Sequence, residues 1–356
     1  MIASAAAPRV LVVDDSALVR QVIADLIVES GEFRLAGMAR DGAEAIAQVR
    51  ALDPDIVTLD VAMPGMHGLE ALSTIMRESP RAVVMLSALD DPRGGDLTIR
   101  ALELGAIDFV HKPSRVDAFD ANALRDRLLI ALRAARGVRV TDLPTIGHTH
   151  AAKKLGLEGT CPARHVVAIA SSTGGPRALS ELLPGISPTG DTAILIAQHM
   201  PPGFTDSLAR RLDAISSLVV REAADGEAVV ADHVYVAPGG LHMRVGSGPD
   251  GRVISISEDA PVWGIRPAAD PLFAAVAHVF GKMSVGVILT GMGRDGAEGL
   301  LAIRKAGGHA IVQDRDSSAV WGMPGAALEL AGADDVVPLG TMASRIGGAL
   351  HRLRGL

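Results

Sequence analysis

The chain has 356 residues, 48% of them hydrophobic and 21% charged, with a net charge of −7. This composition excludes disorder as the dominant state and argues against the basic surface that most nucleic-acid binders carry. At roughly 150 residues per domain the length predicts two or three domains, and with only 3% aromatics the cores must be aliphatic, which suits parallel sheets buried on both faces by helices.

In chain order, the start MIASAAAPRV lacks the basic segment and long apolar core of a signal peptide. Residues 9–136 then alternate apolar runs with amphipathic helical segments: RVLVV (9–13), FRLAGMA (33–39), DIVTLD (55–60), RAVVMLS (81–87) and AIDFVHK (106–112). Helical spacing fills the gaps, as in Leu18, Val22 and Leu26, and a last helix over about 120–136 carries Leu124, Leu128 and Leu132 on one face. The pattern predicts a (βα)5 domain over 1–136. Periodicity stops at Gly137, and residues 137–164 read as an interdomain linker. The alternation resumes over 165–356 with HVVAIAS (165–171), DTAILIAQ (191–198), MSVGVILT (283–290) and HAIVQ (309–313). Between them, VYVAPGG, LHMRV and RVISIS predict an antiparallel extension of the sheet. The expected fold class is α/β, with two doubly wound parallel-sheet domains. Both halves are net acidic.

The single cysteine, Cys161, excludes an intramolecular disulfide and points to a reducing cytoplasm. No apolar run approaches the roughly 20 residues of a spanning helix, so membrane insertion is not expected. His148 and His150, near Cys161, match no strong zinc spacing.

Five residues of the first half fall on one sheet edge. Asp14 and Asp15 follow the first strand, Asp60 ends the third, Ser87 ends the fourth, and Lys112 with Pro113 follows the fifth. In a parallel sheet these are carboxyl ends, where open α/β sheets place their sites. A lone aspartate there would more simply cap the helix beginning near Ala17, but capping does not account for the whole set. Clustered carboxylates suit Mg²⁺, which also binds phosphate. Lys112 would add a positive charge, Ser87 a hydroxyl for a phosphoryl oxygen, and Asp60 a nucleophile able to form an acyl phosphate.

VLVVDDS, LDVAMPGMHG, the later Ser and the KP pair resemble the receiver domain of bacterial response regulators. The resemblance implies that Asp60 is the phospho-acceptor, that Asp14, Asp15 and Asp60 hold Mg²⁺, and that Ser87 and Lys112 read the phosphoryl state. Ala62 and His67 stand where related sequences often carry acidic residues, a change expected to affect partner choice rather than phosphorylation.

The second half offers a second constellation. Ser171-Ser172-Thr173-Gly174-Gly175-Pro176 follows HVVAIA, His199 follows TAILIAQ, and Asp295 sits in LTGMGRDG after SVGVILT. Each residue alone has a plainer reading: an anion-binding turn, a structural histidine, a turn aspartate. Together, at converging strand ends, they are what acyl transfer requires: a hydroxyl nucleophile, a base, and a carboxylate that sets the imidazole tautomer. Backbone amides of such turns can stabilise an oxyanion.

SSTGGP, QHMPPGFT, VYVAPGGLHM, RPAADPLF, GVILTGMGRDGAEGL and WGMPGAA, in this order, resemble the chemotaxis protein-glutamate methylesterases along the whole chain. The resemblance implies that Ser172 is the nucleophile, His199 the base and Asp295 the orienting carboxylate, with Thr173 and Met292 placing oxyanion groups. It implies demethylation, and deamidation of some glutamines, on methyl-accepting chemoreceptors. It also implies activation by a chemotaxis histidine kinase, with the unphosphorylated receiver covering the cleft, and no cofactor for the esterase step. The family usually has Ala before the catalytic Ser; here the pair is Ser171-Ser172, and Ser172 is chosen because it directly precedes Thr-Gly-Gly. Leu241 replaces a basic or polar residue common before HM. Arg266 is a candidate for a substrate carboxylate, while Met283 and Met323 read as packing residues. Two rivals compete. A non-catalytic regulator acting by partner binding is disfavoured by the presence of all three catalytic residue types. A nucleotide-binding domain is disfavoured by the lack of G-x-x-x-x-G-K-[ST].

Overall fold

The protein is described as a computed structural model over residues 7–88, 94–112, 121–136, 138, 161–248 and 251–355. It divides into two compact units, Met1–Ile146 and Gly147–Leu356. Most of the expected linker, with His148 and His150, lies outside the described residues, and Cys161 is exposed.

In the first unit, β1 (Arg9–Val13), β2 (Arg34–Ala39), β3 (Ile56–Asp60), β4 (Ala82–Ala88) and β5 (Asp108–Lys112) alternate, among the described residues, with five helices. These are α1 (Ala17–Glu29), α2 (Gly42–Leu52), α3 (Gly68–Glu78), α4 (Gly94–Glu103) and α5 (Ala121–Arg136). The strands pair in parallel in the order β2-β1-β3-β4-β5, and every residue of β3 is buried, as a strand covered on both faces must be. One face packs Val10, Val12, Val84 and Leu86 against Ile23, Ile27, Leu128 and Leu132. Each such side chain contributes about 1.5–3 kcal/mol when fully buried. The cap of α1 is Ser16, whose hydroxyl accepts Val19 N–H at 3.4 Å. Asp14 and Asp15 are therefore left for other work.

The second unit contains β6 (His165–Ser171), α6 (Gly175–Leu182), β7 (Thr192–Gln198), α7 (Phe204–Ile215), β8 (Val219–Glu222), β9 (His233–Val236), β10 (His242–Gly248), β11 (Gly251–Ser257) and α8 (Ala269–Phe280). It continues through β12 (Ser284–Ile288), α9 (Ala297–Lys305), β13 (His309–Gln313), α10 (Gly322–Leu330), β14 (Asp335–Val337) and α11 (Leu339–Leu353). Seven strands form a parallel sheet in the order β14-β13-β12-β6-β7-β9-β8. The expected antiparallel element is the β10–β11 pair, which makes its own two-stranded sheet; the VYV strand, β9, joins the main sheet in parallel. HVVAIAS and TAILIAQ are buried along their full length. From β6 the chain moves one way to β7 and later returns to lay β12 on the other side, so the topological switch point lies between β6 and β12, where such sheets form their clefts. Among the described residues no helix is long and apolar enough to cross a membrane.

Asp191 ties the end of the chain to this sheet. It accepts the Arg354 guanidinium (Nε at 2.9 Å) and the hydroxyls of Thr189 and Thr192. Burial alone would raise its pKa, but these bonds outweigh it and hold the carboxyl at about 2, against an ordinary 3.8. A depressed carboxylate stabilises the fold above the unfolded pKa and loses that contribution as pH falls through the folded one. Asp191→Asn should therefore flatten the fall in urea midpoint between about pH 4 and pH 2. Because the pair lies at the surface and is only partly buried, its loss at neutral pH should cost about 1 kcal/mol.

Candidate active site and phospho-acceptor site

Three neighbouring strands of the second unit carry the candidate triad. Ser172 follows β6, His199 follows β7 and Asp295 follows β12. His199 Nε2 lies 2.7 Å from Asp295 Oδ2, with both side chains almost fully buried. With a carboxylate as acceptor, Nε2 is the donor, so Nδ1 is the nitrogen able to take a proton. Asp295 also accepts two main-chain N–H groups from the first turn of α8: Ala269 at 2.5 Å to Oδ2 and Asp270 at 3.0 Å to Oδ1. A helix N-terminus favours negative charge. Burial raises the Asp295 pKa, but the His199 hydrogen bond and charge, with the two amides, hold it below the usual carboxylate range. Its neighbour Asp270 is pushed up, chiefly by burial; its carboxylate accepts Trp263 Nε1 at 2.8 Å and Gly299 N at 2.8 Å.

The two serines separate cleanly. Ser171 is fully buried, and its hydroxyl donates to Gln198 Oε1 at 2.6 Å. Ser172 is half-buried, held through its backbone: its N–H donates to Thr290 O at 3.1 Å, and its carbonyl accepts Gly175 N at 2.8 Å. Gln198 completes a clamp that the sequence reading missed. Its Nε2 donates to both Ser172 O (3.0 Å) and His199 O (3.2 Å), joining the hydroxyl-bearing turn to the imidazole-bearing turn. The only sequence signal was its place beside His199 in QHM.

Tight turns need glycine here. Gly174 (φ +77°) and Gly296 (φ +88°) precede α6 and α9 in the left-handed region, and a Cβ on either would come within 2.7 Å of a neighbouring side chain. Gly291 packs beneath the serine: an added Cβ would lie 2.8 Å from Ser172 Cβ and 2.3 Å from Met323 Sδ. Met323 is flexible, but Ser172 Cβ is fixed by its backbone bonds. Gly291→Ala should thus displace Ser172 and lower kcat about 100-fold at little cost in KM, since misplacement of reacting groups by about 1 Å has effects of that size. Steady-state kinetics of the variant tests this.

The remaining expected residues are also placed. Thr173 is buried, its carbonyl accepting Thr290 Oγ1 at 3.0 Å, and Met292 is half-buried beside Gly291. Arg266 is occupied: its guanidinium donates to the carbonyls of Glu258 (2.7 Å) and Asp259 (3.0 Å), pinning the loop before α8. Met323 is a buried packing residue, whereas Met283 is exposed, so the packing role expected of Met283 does not hold. Leu241 is half-buried.

The edge of the first unit gathers its five residues. Lys112 Nζ lies 2.9 Å from Asp14 Oδ2 and 2.8 Å from Asp60 Oδ1. Asp14 and Asp60 are buried and Asp15 exposed; their carboxylate oxygens lie within 4.8 Å of one another. Thr98 Oγ1 donates to Ser87 Oγ at 2.9 Å. Burial pushes the Asp60 carboxyl up to about 6, against the opposing charge and hydrogen bond of Lys112. Asp60 Oδ2 is buried with no hydrogen-bond partner among the described residues. An orphaned buried oxygen in a cluster of three carboxylates fits a hard divalent cation such as Mg²⁺. Ala62 and His67 are both exposed.

A receiver-type sheet with an acidic edge and, in the same chain, a doubly wound unit bearing a Ser/His/Asp set define a response regulator with an α/β output unit. Comparison with known proteins agrees. The response regulator receiver domain family matches residues 10–123, and the CheB methylesterase family matches residues 167–346. The chain is 45% identical to a protein-glutamate methylesterase/protein-glutamine glutaminase of Pyrococcus horikoshii, covering 98% of this chain and 95% of that one. It is 45% identical to the protein of the same name from Bordetella bronchiseptica, covering 95% and 96%. The crystal structure of the Thermotoga maritima CheB methylesterase catalytic domain superposes with a TM-score of 0.50 at 38% identity, covering 51% of this chain and 96% of that one. The chain belongs to the CheB methylesterase family.

Proposed function

We propose that the chain is a phosphorylation-activated protein-glutamate methylesterase and protein-glutamine glutaminase of the chemotaxis pathway, acting on methyl-accepting chemoreceptors in the cytoplasm. The observation that carries this reading is the His199–Asp295 pair, anchored in the first turn of α8 and clamped through Gln198 to the Ser172 turn.

Ser172 Oγ attacks the carbonyl carbon of a glutamate γ-methyl ester while His199 Nδ1 takes the hydroxyl proton. Asp295, charged and fixed, stabilises the imidazolium. The oxyanion meets backbone N–H groups of the Thr173 and Met292 turns, each such donor contributing about 3–4 kcal/mol. The His199 proton passes to the leaving methoxide and methanol departs. A water, deprotonated by His199, then cleaves the acyl-enzyme, freeing the glutamate carboxylate and Ser172. With a glutamine substrate, ammonia leaves instead. The esterase step uses no cofactor.

In the first unit, Asp60 Oδ attacks the phosphoryl group of the chemotaxis kinase's phosphohistidine, forming an acyl phosphate and releasing the histidine. Asp14, Asp15 and Asp60 would hold Mg²⁺, whose charge offsets that of the incoming phosphoryl oxygens. Lys112 and the Ser87 hydroxyl then bind those oxygens, and the phosphoryl state of Asp60 sets the rate of the second unit. Residues 1–136 serve as receiver, 137–164 as linker and 165–356 as catalytic domain.

The test is methanol release, with mass spectrometry of methylated receptor peptides, in the presence and absence of acetyl phosphate. Release that accelerates with the phosphodonor is expected, and Asp60→Asn should retain basal release and lose the acceleration. Acceleration that survives Asp60→Asn would sink the switch, and absence of methanol would sink the esterase.

A further inference from the structure

A two-residue turn beside the triad carries an unusual residue. Val262 and Ile265 exchange backbone hydrogen bonds (3.2 and 3.0 Å), leaving Trp263 and Gly264 at the tip with φ of +54° and +76°. Two successive positive φ angles are the requirement of a type I′ turn, where Asn and Gly are favoured. A bulky aromatic there is an outlier, since left-handed backbone outside glycine is strained and costs stability. Trp263 is also 48% exposed, so burial does not offset that cost.

The side chain is nonetheless held. Trp263 Nε1 donates to Asp270 Oδ2 at 2.8 Å, and the Asp270 N–H donates to Asp295 Oδ1, so one residue separates the indole from the triad carboxylate. Above the ring, 4.8 Å from its centroid, sits the guanidinium carbon of Arg294, the residue preceding Asp295. Arg294 is exposed and makes no ion pair among the described residues. A guanidinium stacked on an indole is fixed in plane and keeps its N–H edge for a carboxylate, which it can bind with two parallel hydrogen bonds. Arg266, the residue expected from sequence to bind a substrate carboxylate, is already committed to backbone carbonyls.

We propose that Trp263 and Arg294 form a docking shelf that grips a carboxylate flanking the reactive glutamyl ester, so that acidic helical segments are the preferred substrates. This rests on the methylesterase reading and names its substrate class. Two arguments carry it. An unpaired, stacked cation on an otherwise net-acidic unit is complementary to an acidic segment. Strain retained at an exposed position one residue from the triad marks a functional rather than a stabilising choice.

The test uses two synthetic helical peptides, each with one glutamate γ-methyl ester. One carries glutamates and the other glutamines one helical turn to either side, and methanol release is measured with the full-length protein. The wild-type chain should favour the acidic peptide by about threefold to tenfold in kcat/KM, through KM rather than kcat, the size expected of rim charges. The preference should shrink at high salt. Arg294→Glu should abolish or invert it, and Arg294→Lys, which keeps the charge but loses the planar two-bond fork, should keep only part of it. Because each protein is compared with itself on two peptides, a general loss of activity does not mimic the effect. Equal wild-type rates on the two peptides, or a preference intact in Arg294→Glu, overturns the shelf. Methanol from neither peptide overturns the methylesterase reading, and the shelf with it.

Discussion

Ser172→Ala is expected to reduce methyl-ester turnover by about 10⁶-fold, the order seen when the nucleophile of a serine hydrolase is removed. Its neighbour supplies the control. Ser171 is as close to the turn in sequence, but its hydroxyl is sealed from solvent and donates to Gln198 Oε1. Ser171→Ala leaves that buried acceptor short of its donor, which costs about 1–3 kcal/mol of stability. The Gln198 amide still donates to the carbonyls of Ser172 and His199, so turnover should fall by no more than about tenfold, in keeping with indirect positioning. Rates on a methylated receptor peptide, together with thermal midpoints, separate the two variants. Should Ser172→Ala retain turnover while Ser171→Ala abolishes it, the nucleophile would have to be reassigned.

Asp295→Asn should be nearly as damaging, lowering kcat about 10⁴-fold with KM little changed. Three donors converge on this carboxylate: His199 Nε2, Ala269 N–H and Asp270 N–H. An asparagine offers one acceptor oxygen and one NH₂. If its oxygen faces His199 and Ala269, the NH₂ meets the Asp270 N–H, and a buried donor loses its partner. If it is turned over, the NH₂ faces His199, which must then accept at Nε2 and carry its proton on Nδ1. That tautomer cannot take a proton from Ser172, and errors of tautomer have effects of this magnitude. Either orientation also removes the charge that would stabilise the imidazolium. A kcat within tenfold of wild type would show that Asp295 is not the orienting carboxylate.

Much of this was legible in the sequence, because a parallel sheet converts position along the chain into position in space. Asp14, Asp60, Ser87 and Lys112, and separately Ser172, His199 and Asp295, each close an apolar run, and ends of parallel strands gather on one edge. What escaped was held by groups without a side-chain signature. The partners of Asp295 are main-chain N–H groups of Ala269 and Asp270, contributed by a helix that follows the antiparallel pair. Arg266 read as a substrate ligand because a free arginine near a site is informative, and only the fold shows its guanidinium engaged with two carbonyls. Strand β9 looked antiparallel by its company of short β-rich segments, yet the α7–β8 excursion before it lets it add to the sheet in parallel. Strand β14 is three residues long, one of them polar, and too short for any periodicity to register.

The first turn of α8 also makes the site observable without chemistry. The amide protons of Ala269 and Asp270 both point at one buried, charged carboxylate. Hydrogen bonds to an anion deshield a proton and slow its exchange with solvent. These two resonances should therefore lie downfield and exchange slowly in the resting enzyme, and any event that loosens Asp295 should move both together. They amount to a built-in gauge of catalytic readiness, one that could be followed while the receiver is phosphorylated and before any substrate is added.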